Sequence, residues 1–205
     1  TCANHCPSNC LGRTGARAAA IRGGRLMADL YVYHVGSNTS PYDTVVKAAT
    51  SLATAVAARG SGEKILMDYR HRESLGSTTT YTPGTGSQTD PCVLRSVDTA
   101  DSDAYRLPTD HQIYMDAAAG GADLKFDGYW LIEGCWFETN DNMEFGNTAT
   151  GFRTYDCKFM HLTGSNSDES LTGARGMVNH YRAEFNFGRW TTGNRAQIMR
   201  LFGCT

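Results

Sequence analysis

From Gly128 to Phe159 the apolar and polar positions form two lines that lie one above the other at a shift of 22 residues. Cys157 falls under Cys135, Phe159 under Phe137, Thr154 under Ile132 and Phe152 under Trp130. The pattern continues downstream in the same register. Val178, His180, Ala183 and Phe185 make a third line, and Met199, Leu201 and Cys204 a fourth, with successive spacings of 22, 26 and 21 residues. Of these fifteen positions only Thr154 and His180 are not apolar, in a chain that is 40% hydrophobic. Within each line, apolar residues sit two apart, skip three, then sit two apart again. Alternation by two places side chains on one face of a strand. The skip of three marks a bend that resets which parity points inward. Two short strands joined by a bend, repeated every 20–30 residues, predict stacked coils of a parallel β-helix, a solenoid. Columns then repeat about 4.8 Å apart, with small Cys/Ala and large Phe forming interior ladders. Gly128, Gly151 and Gly176 precede the lines, where the chain must change direction.

Upstream, Leu30–Val35 reads as a strand from its β-branched and aromatic content. Residues 36–41 are a polar loop. One α-helix is predicted over about 42–59. Asp43 suits its N-terminal end, Gly60 its termination, and Val45, Ala49, Leu52 and Val56 form one apolar stripe. A second strand follows at Lys64–Tyr69. A helix in this place would close the open end of a solenoid, which otherwise exposes unpaired edges. The Thr/Gly-rich stretch 76–90 is a loop or strand edge. Pro91–Val97 resumes the β signal and 98–110 is polar and irregular. Residues 111–116 alternate, but no column is assigned to them.

The chain has 205 residues, enough for one domain with a real core. Its net charge of −2 gives no electrostatic reason to expect nucleic acid as a partner. No apolar run approaches the roughly 20 residues of a membrane span. Residues 1–26 differ from the rest. They carry four Arg and no acid, so 27–205 bears 15 basic and 21 acidic residues. We expect two parts: a basic, Cys-containing leader at 1–26, untranslated or disordered, and a β-helix domain at 27–205, truncated at its C-terminus. Met27, which opens an ordinary soluble sequence, is the expected start. Cys2, Cys6 and Cys10 are evenly spaced around His5. They are weak zinc candidates, since Cys-x3-Cys-x3-Cys is not a recognised ligand spacing. No cofactor is expected. Cys135, Cys157 and Cys204 are read as reduced, buried small hydrophobes.

Catalysis on a β-helix needs converging carboxylates on an outer face. Asp127, Glu133, Glu138, Asp141, Asp156, Asp168 and Glu169 are the available acids. Glu133 and Asp156 are the weak catalytic candidates, placed in one column at the bend as a stacked pair able to share a proton. Trp136 and Trp190 are candidates for sugar stacking or subunit packing. Arg70-His71-Arg72-Glu73-Ser74 is read as a polar strand exit laced with salt bridges. No Ser-His-Asp order, phosphate loop, nucleotide fingerprint or His-Glu-x-x-His is present.

Residues 27–97 resemble the opening of a group of phage and environmental-virus proteins. The shared order is a short strand after Met27 (Leu30–Val35), Gly36-Ser37, an Ala-rich helix (Asp43–Gly60), Gly60–Gly62, an apolar strand (Ile65–Asp68), His71-Arg72-Glu73, a Thr-rich stretch and Pro91-Cys92-Val93-Leu94. The later ladder is similar to pectin-lyase-like right-handed β-helices. The resemblance implies an all-β, single-stranded, right-handed parallel β-helix. It also implies a structural virion protein, made in the host cytoplasm, that decorates a capsid or forms part of a fibre or tail. Its expected partners are copies of itself, as a trimer by analogy, and other virion proteins. The alternative is a glycan-binding or glycan-cleaving module with a surface glycan as partner, a lyase or hydrolase if an enzyme.

Overall fold

The protein is described by a computed structural model covering residues 28–115, 122–145, 151–161, 170–173, 176–187, 189–191 and 197–205. It is built mostly of short parallel strands, with one helix among the described residues. β1 (Leu30–Val32) leads to α1 (Leu52–Ala58). Then come β2 (Lys64–Asp68), β3 (Glu73–Leu75) and β4 (Thr79–Tyr81). The next round is β5 (Cys92–Asp98), β6 (Ala104–Tyr105), β7 (Ile113–Met115) and β8 (Leu124–Phe126). Two further rounds are β9 (Trp130–Glu133), β10 (Trp136–Thr139) and β11 (Met143–Phe145), then β12 (Phe152–Tyr155), β13 (Lys158–His161) and β14 (Ser170–Gly173). The chain closes with β15 (Gly176–Tyr181), β16 (Glu184–Asn186), β17 (Arg189–Thr191) and β18 (Gln197–Phe202).

The strands form three sheets, which the chain visits in turn. The first has the order β1-β2-β5-β9-β12-β15-β18, with β6 attached to β5. The second is β3-β7-β10-β13-β16 and the third β4-β8-β11-β14-β17. In the first sheet one column runs Leu30, Ile65, Leu94, Ile132, Thr154, His180, Leu201. Beside it Cys92 pairs with Trp130, Phe152 with Val178, and Val178 with Met199. In the second sheet Ile113, Phe137, Phe159 and Phe185 stand in register. The third sheet supplies inward positions that lie outside the four columns read from the sequence: Leu124 on Met143, and Tyr81, Phe126 and Phe145 in line.

These columns meet in one core. Trp130, Phe126, Phe137, Phe145, Phe152 and Phe159 are all essentially inaccessible. Phe137 stacks on Phe159 at 5.8 Å and Phe159 on Phe185 at 5.3 Å, while Phe126 meets Phe137 edge-on at 4.9 Å. Each buried aromatic contributes roughly 1.5–3 kcal/mol of burial, and the ring pairs add about 0.5–1.5 kcal/mol each. The indole N–H of Trp130 donates to the Asp127 carbonyl at 2.8 Å, so the bulkiest core side chain leaves no orphan donor.

The corner between the first and second sheets is a backbone device. Gly134, Asp156, Arg182 and Gly203 have φ of 66°, 53°, 49° and 60°. Each precedes a member of the small-residue column, Cys135, Cys157, Ala183 and Cys204. A left-handed residue turns the chain sharply and sends the next side chain inward. Hydrogen bonds run through the corner without a break: Gly134 N donates to Tyr155 O, Asp156 N to Tyr181 O, and Arg182 N to Phe202 O. Cys135, Cys157 and Ala183 are each 1% exposed. Leu201 is 47% exposed, because no described strand lies beyond β18. β15 begins at Gly176 itself, so that glycine lies in a strand rather than in a turn.

The helix is shorter than its apolar stripe predicts. Residues 42–51 do not join it, because the backbone of this segment is drawn to β1. Ala49 bridges Val32, accepting from Tyr33 N and donating to Tyr31 O. Lys47 and Ala48 close four-residue turns onto Thr44 and Val45 instead of helical bonds. Ser51 is the true N-cap, its hydroxyl accepting from Thr54 N at 3.2 Å. α1 buries Leu52, Ala55 and Val56, and Leu52 N donates to Glu73 Oε2 of β3 at 2.7 Å. Together the segment at Ala49 and α1 occupy the β1 end of the stack, where no second- or third-sheet strand precedes β3 and β4 among the described residues.

Candidate functional site

β9 turns away at Gly134, and β6 takes its place beside the end of β5. Tyr105 pairs with Val97 and Ala104 with Asp98 in the antiparallel sense, and Arg106 N donates to Ser96 O. The segment from Thr99 to His111 thus straps across the outside of the first sheet. Its Tyr105 ring lies over Gly134 so closely that a Cβ there would sit 2.7 Å from the phenolic oxygen. Between the strap and the corners of the next coils opens a cleft of about 300 Å³, lined by Arg95, Tyr105, Glu133, Tyr155, Asp156 and Arg182.

Both weak catalytic candidates line this cleft, but not as a stacked pair. Glu133 stands in register with Tyr155, and Asp156 lies one residue beyond, over Gly134. The coil-to-coil shift carries Glu133 onto position 155, so an acid at 156 belongs to the next column. Each carboxylate is instead engaged by an arginine from a neighbouring coil. Arg95 Nε and Nη2 both approach Glu133 Oε2 at 2.5 Å. Arg182 grips Asp156 with two bonds, Nε to Oδ1 at 2.6 Å and Nη2 to Oδ2 at 2.7 Å, and Tyr105 adds its hydroxyl to Oδ2 at 3.2 Å. The Arg182 hydrogen bonds hold the Asp156 carboxyl below its ordinary range. Burial, helped by Asp156, raises the Tyr105 phenol. Asp156 is therefore an ionised acceptor, not a poised general acid.

Tyr155 forms the next feature. It stacks on Tyr181 at 4.6 Å with rings 5° from parallel, and Tyr181 stacks on Phe202 at 4.7 Å and 7°. The outward column of this sheet is Arg95, Glu133, Tyr155, Tyr181, Phe202. Face-to-face stacking consumes the ring faces inside the column. On the other side Tyr155 has Glu133 as its neighbour in the column, and it lines the cleft.

The Arg70–Ser74 cluster is tied into the coils. Asp68 is fully buried and accepts from Arg70 Nε and Nη2 at 2.9 and 3.0 Å and from the Thr99 hydroxyl. Burial pushes the Asp68 carboxyl up, but the bonds from Arg70 and Thr99 outweigh it and leave it lowered. His71, also buried, meets Glu73 at 3.3 Å, and Gln112 donates to Asp68 O and Ser96 Oγ. This is the polar strand exit expected from its residues.

Of the other acids, Glu138 meets His111 at 3.6 Å, and the Asp127 carboxylate accepts from Gly128 N at 2.8 Å. Asp141 N donates to the Thr139 hydroxyl at 3.3 Å. Trp136 carries Lys158 Nζ 4.7 Å above its ring. Asp168, Glu169 and the side chain of Trp190 lie outside what is described, as do Cys2, Cys6 and Cys10 and the whole of the predicted leader. Among the described residues no group of three His, Cys, Asp or Glu side chains is placed to hold a metal ion.

The chain matches no protein-family model, no curated protein and no solved structure. Its fold and site therefore rest on the geometry alone. Sequence reasoning did not single out Arg95, Tyr105, Tyr155 or Arg182. Tyr155 and Arg182 carry a signal. Tyr181 follows Tyr155, and Arg182 follows Asp156, at the same spacing that separates Ala183 from Cys157. Arg95, far from its partner in the chain, and Tyr105, in an irregular segment, carry none.

Proposed function

We propose that the chain is a right-handed parallel β-helix with a structural role in a phage or virus particle, as a capsid decoration, fibre or tail-associated protein that associates with copies of itself. The observation that carries the structural reading is the commitment of the outer-face charges to one another. Glu133 and Asp156 each neutralise an arginine of an adjacent coil, so they brace the stack. Chemistry on a glycan needs one carboxyl held neutral and another free to attack or to activate water. The virion assignment rests on the order of motifs in residues 27–97 and on the ladder that follows them. Incubating the full chain with a panel of bacterial envelope polysaccharides should yield no new reducing or unsaturated ends. Sustained cleavage would overturn the structural reading. Antibody raised against the chain should label purified virus particles, and label confined to the host-cell fraction would overturn the virion assignment.

A further inference from the structure

We propose that His34 is the acid-sensitive clip of an end cap: a proton on its ring releases residues 33–58 from the corner at Arg70–Glu73 and uncovers the β1 end of the stack. The device goes beyond the structural reading and does not depend on where the protein resides.

The cap has three attachments. Backbone bonds cover the outer edge of β1: Tyr31 N donates to Tyr42 O, Tyr33 N to Ala49 O, and Ala49 N to Tyr31 O. Glu73 holds α1. It stands in register with Ile113, at the head of the column that continues through Phe137, Phe159 and Phe185. There its carboxylate accepts from Leu52 N at 2.7 Å and meets His71 Nε2 at 3.3 Å. His34 holds the segment between β1 and α1, its Nδ1 accepting from Arg72 N at 3.2 Å. The residues that follow His34 are tied to the rest of the cap. Ser37 N donates to Val46 O, Asn38 N to Ala48 O, and Thr50 N to Asn38 Oδ1. Freeing His34 therefore loosens the residues that cover β1 and lead into α1, and leaves an unpaired strand edge at the end of the stack.

The proton sensitivity follows from the direction of one bond. A backbone N–H only donates, so the bond from Arg72 N fixes the lone pair of His34 on Nδ1 and its hydrogen on Nε2. A further proton has only Nδ1 to take. It turns the acceptor into a second donor facing the Arg72 N–H, and the bond is lost. The surroundings also disfavour the cation. The His71 ring lies 6.0 Å from that of His34, and Arg70 and Arg72 on the same corner carry permanent charges. Tyr33 meets the His34 ring edge-on at 5.0 Å and brings no charge. Asp68 favours the cation but is engaged by Arg70 and Thr99, and Asp110 by Arg72 and His111. Glu73 is taken up by Leu52 N and His71, and burial, with Glu73 adding to it, raises the Tyr81 phenol and keeps it neutral. His71 is inaccessible and its Nδ1 has no partner, so a second proton there finds no acceptor. Partial burial, then His71 and Arg72, hold the His34 ring below its ordinary range. Once the cap lifts, the ring titrates at about 6.5. Closure is fully supported above that pH and loses its support as the pH falls through the lower folded value.

Hydrogen exchange read by mass spectrometry on the full chain tests the clip, with each rate corrected for the intrinsic pH dependence of exchange. One proton allows a loss of up to about tenfold per pH unit. Protection of peptides within 42–58 should fall by at least about threefold more in the wild type than in His34→Asn between about pH 7 and pH 5. The asparagine carbonyl accepts from Arg72 N as the ring does and does not titrate. In the wild type at the acid end, 42–58 should be less protected than Trp130–Thr139, which marks opening of the end alone. Glu73→Ala removes the acceptor of Leu52 N and should loosen α1 at neutral pH. Parallel profiles of wild type and His34→Asn over 42–58 overturn the proposal. So does protection there equal to that of Trp130–Thr139, or α1 protection unchanged by Glu73→Ala. Circular dichroism verifies folding, and His34→Gln takes the place of His34→Asn should that variant not fold.

Discussion

Lowering the pH should strip stability from the last coils through one side chain. His180 sits in the core column between Thr154 and Leu201 and is inaccessible to water. Its Nδ1 shares a 2.7 Å hydrogen bond with the Thr154 hydroxyl, and its Nε2 has no partner. The rings of Phe145, Phe152, Phe159 and Phe185 surround it at 5.0–6.4 Å. Burial pushes its pKa down to about 3 from an ordinary 6.5. The folded chain therefore holds His180 neutral, while the unfolded chain takes up a proton once the pH falls below about 6.5. Stability from this group is fully present above pH 6.5, is lost as the pH falls toward 3, and changes no further below that. The slope reaches about 1.4 kcal/mol per pH unit, so the loss between pH 7 and pH 4.5 is about 2–3 kcal/mol. Equilibrium urea unfolding at a series of pH values, on the wild type and on His180→Leu, isolates the term. Leucine already stands in this column at positions 94 and 201 and cannot titrate. It leaves the Thr154 hydroxyl unpartnered at a cost of about 1–3 kcal/mol. That offset does not depend on pH, and Thr154→Val combined with His180→Leu removes it. The wild type should lose stability relative to both variants as the pH falls. Parallel pH profiles would refute the reasoning.

Three further outcomes follow from the packing. Gly134→Ala should lower stability by about 1–3 kcal/mol in urea unfolding, from left-handed strain and displacement of Tyr105; an unchanged midpoint would contradict the corner geometry. Burial pushes the Cys92 and Cys157 thiols up to about 12 and also raises Cys135. Among the four described cysteines, native protein at pH 8 should therefore alkylate first at the more exposed Cys204, with Cys92, Cys135 and Cys157 reacting only after denaturation, as read by mass spectrometry of the peptides that carry them. Arg59, whose side chain is 1% exposed, donates to the carbonyls of Glu63, Thr85 and Pro91. Arg59→Met should cost about 2–4 kcal/mol and expose the 82–91 loop to limited proteolysis.

The ladder is legible because a strand buried on one face writes its burial in steps of two, and stacked coils repeat it. The Phe137, Phe159, Phe185 column needs no structure to be seen. The third sheet is harder to read. Leu124-Lys-Phe126 and Met143-Glu-Phe145 show the same alternation, but their next line, at Leu171-Thr-Gly173, comes after a much longer interval. The variable corner lengths hide the repeat. The helix is overextended in the sequence reading because a stripe of apolar residues reports a buried face, not the hydrogen bonds behind it. Ala49 is buried as the stripe requires, but by pairing with β1. The cleft is half legible. Its acids stand out as chemistry-bearing residues, but their partners are set by coil-to-coil register and by a strap whose path no local pattern encodes.

The corner at Gly134, Asp156, Arg182 and Gly203 separates shape from chemistry. Its direction comes from one backbone torsion repeated coil after coil, and the side chain at that position points away from the core. Residues as unlike as Gly, Asp and Arg adopt the same left-handed torsion there, so the turn itself does not dictate their chemistry. The molecule thus has a graduated edge, with one corner residue about every 4.8 Å along its axis. What each residue does on that edge is set by its neighbours, as the Asp156–Arg182 pair and the Tyr105 ring over Gly134 show.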